Sequence, residues 1–134
     1  MARVLWPFRN GQPCIGLELR NQLTGQTASR VLLADTGAGS LLEDVDLVLG
    51  QNDKTRFGRK YQGWMRADGF VIGAFPVFTV TVAISGLSVV RRVNAMIVPD
   101  STLPDGFEGI ATIRFLDSFA YGNFGVRGEF GLEL

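Results

Sequence analysis

The sequence predicts an all-β protein, a small closed β-barrel with one short helix near residues 110–120. Three observations predict it. Apolar and polar residues alternate with a period of two in CIGLELRN (14–21) and again in the segment around FTVTV (78–82). The 17 glycines are enough to turn many short strands tightly into one another. A helical period occurs in a single stretch, GIATIRFLDSFAYG (109–122).

Taken in order, residues 14–21 form a strand that ends at a Leu-Thr-Gly turn, and residues 28–34 form its partner. LLEDVDLVLG (41–50) fits either a short helix or an irregular extended piece. QNDKTRFGRKYQG (51–63) is polar, basic and punctuated by glycine, as an exposed hairpin or loop would be. Residues 70–90 carry no charge and are long enough to raise the question of a membrane span. Gly73, Pro76 and Gly86 interrupt that run, and its two-residue alternation marks a hairpin turning at Ser85-Gly86, with strands over 64–84 and 87–98. DSTLPDG (100–106) is a loop. In the helical stretch Ile110, Ile113, Leu116 and Phe119 or Ala120 share one face, Arg114 and Asp117 lie off it, and Gly122 stands at the C′ position. The last five residues, FGLEL, form a terminal strand.

The chain has 134 residues, which is one domain (1–134), and 46% of them are hydrophobic against 19% charged, sufficient for a packed core. Thirteen basic and thirteen acidic side chains cancel, which disfavours a nucleic-acid partner. With no histidine and a single cysteine, Cys14, neither an imidazole-based triad, a thiol–imidazole pair, a zinc set nor an internal disulfide can be assembled. No metal or cofactor is expected, and no membrane partner. The start at Met1, the short broken apolar run in MARVLWPFRN and the lone thiol predict a cytoplasmic protein.

VLLADTGAGS (31–40) runs four apolar residues into an acid. Asp-Thr-Gly is ordinary turn composition, since Asp bonds nearby amides and Gly accepts positive φ. An apolar strand followed by Asp-Thr-Gly-Ala, a small residue and Ser also resembles the active-site pattern of aspartic proteases. Length and element order are similar to the single-domain retroviral-type branch, the retropepsins, from about Cys14 to Leu134. A glycine-bearing basic segment, RFGRKYQGWMRADG (56–69), stands where the family carries its flap. GIATIRFL stands where it has two apolar residues and a Gly leading into a helix, and FGLEL where it has the strand used for dimerisation.

The resemblance implies a retropepsin-like barrel and a chemistry. A homodimer brings two Asp35 carboxylates together around one water, to cleave a protein or peptide substrate as an aspartic endopeptidase. Two carboxylates about 3 Å apart hold one proton between them, so one takes a proton from the water while the other polarises the scissile carbonyl. By the same resemblance Asp35 is catalytic, and Thr36 and Gly37 support the active-site loop. Ala38, Gly39 and Ser40 line the substrate cleft. Tyr61 and Trp64 in the flap either cover the substrate or pack the hairpin onto the barrel. Thr112 departs from the family glycine: its Cβ and hydroxyl either widen the packing behind the catalytic loop or hydrogen-bond a neighbouring backbone group. The alternative function is a catalytically inactive dimerising peptide-binding or structural domain of the same fold.

Overall fold

The computed structural model describes residues 2–37, 45–66 and 74–134. It is mostly β: ten strands and two short α-helices lie among the described residues. The first hairpin joins β2 (Cys14–Arg20) to β3 (Thr27–Asp35) in antiparallel register from Cys14↔Leu33 to Arg20↔Thr27. Its turn is built locally. Asn21 Oδ1 accepts from the amides of Leu23 and Thr24 at 3.0 and 3.2 Å, and Gly25 supplies the positive φ of 75°. The second hairpin joins β6 (Ala74–Ile84) to β7 (Val89–Val98) through a 3₁₀ turn at Ser85–Leu87, the turn position read from the sequence.

β4 (Leu47–Gly50), β5 (Tyr61–Arg66) and β8 (Gly109–Thr112) complete a seven-stranded sheet of order β2-β3-β8-β4-β7-β6-β5. β2 also pairs with β6 over Glu18↔Ala83 to Arg20↔Thr81, which closes six of the strands into a barrel. Inward residues of the alternating strands, among them Ile15, Leu19, Leu32, Leu49, Val80 and Ile97, fill its interior. β4 is buried on both faces. Leu47 and Leu49 join the interior while Val48 packs outside with Val77, Met96 and Ile110, so LVLG is apolar without alternation.

β8 is a central strand, parallel to β3 and antiparallel to β4. Gly109 opens it because a Cβ there would lie 2.5 Å from the Val48 carbonyl oxygen and 2.8 Å from Leu32 Cδ2. A second sheet of three strands places β10 (Glu129–Glu133) between β1 (Arg3–Pro7) and β9 (Ala120–Gly122).

Four sequence expectations are corrected. The helix near residues 110–120 shrinks to α2, Ile113–Leu116, capped at Asp117, because the residues before it are taken by β8 and those after it by β9. Gly122 therefore lies in a strand and caps no helix. Residues 51–63 are not all loop: Gln51–Phe57 form α1, held by Phe57, which is fully buried, and by Asp53 one turn earlier. The expected flap of 56–69 accordingly begins inside α1. The observed hairpin pairs β5 with β6 from Tyr61↔Phe78 to Arg66↔Ala74, and residues 67–69 lie outside the described residues.

Candidate active site

Asp35 is the last residue of β3, the point where an apolar strand leaves the barrel. Its neighbours Leu32 and Ala34 are buried, whereas Asp35 is half-buried and Thr36 and Gly37 are exposed. Oδ1 of Asp35 accepts a hydrogen bond from the Gly37 amide at 3.0 Å, which fixes the carboxylate against its own turn. Among the described residues Oδ2 has no hydrogen-bond partner. A Cβ on Gly37 would stand 3.4 Å from Asp35 Oδ1, an ordinary contact, so within one chain this approach does not by itself demand glycine. Ala38, Gly39 and Ser40 lie outside the described residues.

Across the parallel ladder Asp35 is opposite Thr112. This side chain is fully buried, and its hydroxyl donates to the carbonyl of Val45 at 2.7 Å with the Asp46 carbonyl at 3.0 Å, while its amide also donates to Asp46. Of the two outcomes left open for Thr112, the hydroxyl has taken backbone partners. Behind it, the Asp46 carboxylate accepts from the Asn94 amide at 2.9 Å and from Arg114 Nε at 3.2 Å. The strand ends around Asp35 are thus tied by β8, by the chain entering β4 and by the start of α2. Sequence reasoning missed Asp46, Asn94 and Arg114, whose bonds join positions far apart in the chain.

Tyr61 and Trp64 behave differently from one another. Tyr61 stands edge-on to Phe78, its cross-strand partner on β6, with ring centroids 5.6 Å apart, so this pair holds β5 against β6. Trp64 is 66% exposed. A bulge between Tyr61 and Gly63, with Gly63 at φ 130°, inserts one residue into β5 and shifts its alternation. None of the described hydrogen bonds or ring contacts joins Tyr61 or Trp64 to Asp35.

An ion pair and a buried thiol lie elsewhere in the barrel. Arg30 Nε and Nη2 reach the nearly buried Asp53 carboxylate at 2.8 to 3.2 Å, a fork-to-fork pair that clamps α1 onto β3. That hydrogen-bonded pairing holds the Arg30 guanidinium above its ordinary value. Cys14 is buried with its thiol donating to the Pro7 carbonyl at 3.3 Å, and burial pushes its pKa above the usual 9.0. It is a packing residue and a poor nucleophile. No helix among the described residues is long and apolar enough to cross a membrane.

Neither a family model nor a curated protein matches the chain.

Proposed function

We propose that the protein is an aspartic endopeptidase of the retropepsin-like type, in which two copies of the chain bring their Asp35 carboxylates to one water. The observation that carries this reading is the state of Asp35: one oxygen anchored by the Gly37 amide, the other unpartnered among the described residues, at the exposed end of a barrel strand. A turn residue shares the first of these features, and the second leaves an oxygen available to a water. The Thr112 hydroxyl, which donates to the Val45 carbonyl, has a backbone partner within the fold, and this supports the reading.

In this reading one carboxylate is ionised and its twin protonated. The ionised group accepts a proton from the water as its oxygen adds to the scissile carbonyl. The protonated twin donates to the carbonyl oxygen, and collapse of the tetrahedral adduct expels the amine, which takes up a proton. The exposed Trp64 stands on the hairpin that would close over the peptide.

Incubation with a mixed peptide library from strongly acidic to neutral pH tests the proposal, with Asp35→Asn alongside. Cleavage strongest at mildly acidic pH and abolished in the variant is the expected result. Equal cleavage by both proteins, or by neither, overturns it.

One observation favours a second reading, a peptide-binding domain acting as a single copy. β10, expected to supply the dimer contact, is paired along both edges by β1 and β9 of its own chain. An interchain sheet then has to use the outer edge of β1 or β9, or exchange β1 between copies.

A further inference from the structure

A pocket of about 440 Å³ lies between Trp64 and Ala74–Pro76 of the β5–β6 hairpin and the end of β7, within the range of sites that take a single side chain or a small ligand. Trp64, Phe75, Pro76 and Pro99 give it apolar walls, and Gln51 and Asp100 put an amide and a carboxylate beside them. Among the described residues the Asp100 carboxylate has no ion-pair or hydrogen-bond partner.

Gly50 explains how Asp100 comes to be there. It is buried at the end of β4, and Asp100 Oδ1 packs so closely over it that any Cβ would overlap the carboxylate. A glycine at the strand end thus leaves room for an acid at the pocket. Apolar walls ending in an unpaired carboxylate are complementary to a long aliphatic stem with a cationic tip. The exposed indole adds a face that attracts the same cation. An acidic side chain would be repelled by Asp100, and a purely aliphatic one would leave both polar groups unmatched.

We propose that this pocket takes a lysine or arginine side chain of the bound polypeptide, making Asp100 and Trp64 specificity determinants. The inference rests on the reading above only in that a peptide lies under the hairpin, and its test does not need catalysis. The indole N–H signal of Trp64 is followed by NMR in the Asp35→Asn protein. The probes are N-acetyl-lysine N-methylamide, the arginine and glutamate equivalents, and N-acetyl-norleucine N-methylamide, each titrated to its solubility limit. Lysine and arginine derivatives are expected to shift the signal saturably, and norleucine about fivefold more weakly, the size of an exposed ion pair. Asp100→Asn should abolish that difference, and Asp100→Lys should turn the preference toward glutamate, the rest of the spectrum reporting that each variant is folded. Equal response to lysine and norleucine, no response to any probe, or a preference unaffected by Asp100→Asn overturns the proposal. If the protein cleaves peptides but Asp100→Asn leaves the cleavage preference unchanged, the pocket assignment fails while the protease reading stands.

Discussion

At position 112 a fully buried hydroxyl donates to the Val45 carbonyl. Thr112→Val keeps the shape and removes the donor, leaving the Val45 carbonyl without it. A buried acceptor stripped of its donor costs about 1–3 kcal/mol, so urea denaturation should show a loss of that size, with Thr112→Ser retaining most of the wild-type stability. Thr112→Val at wild-type stability would mean that water or a backbone shift replaces the bond. The Asp35-Thr36-Gly37 turn was legible because its chemistry is contiguous: the Gly37 amide that holds the carboxylate is two residues away. Thr112 was visible as a departure, but its partners at 45 and 46 lie 67 and 66 residues distant. No local pattern announces them.

At the scale of elements, α1 and α2 show periodicity failing in opposite directions. QNDKTRF carries a single large apolar residue, so it has no apolar stripe to detect. It is helical because Phe57 and Asp53, one turn apart, both face the barrel, where Arg30 meets the carboxylate. Removing one partner of a nearly buried pair costs about 3–5 kcal/mol, and Glu108, 3.6 Å from Arg30, softens that loss by remaining near the stranded guanidinium. Asp53→Ala should therefore unfold at clearly lower denaturant concentration, by about 3 kcal/mol, while Arg30→Met with Asp53→Leu recovers most of the stability. A negligible change in Asp53→Ala would show that α1 is held by Phe57 alone. Residues 110–120 do have a helical stripe, yet Gly109–Thr112 extend because a central strand satisfies backbone groups on both sides, from β3 and from β4. Burial of Ile110 and Leu116 serves either conformation, so the apolar spacing did not discriminate.

For the whole molecule, the proposed function turns on a relation between two copies of the chain. A site that needs two Asp35 carboxylates predicts a dimer, and light scattering at micromolar concentration should return twice the chain mass. A strict monomer removes the shared-water mechanism and leaves the single-copy binding domain, the outcome that the doubly paired β10 favours. Sequence alone determined the β class, the Ser85-Gly86 hairpin turn and the acid that ends an apolar strand. Alternation, turn chemistry and residue identity are properties of neighbours along the chain. Only the tertiary structure decided that β2 closes the barrel on β6, that a polar heptapeptide is a helix, and that Asp100 lies over Gly50 beside an exposed indole. Each of these is fixed by contacts between residues distant in sequence, whose free energy exists only once the chain has brought them together.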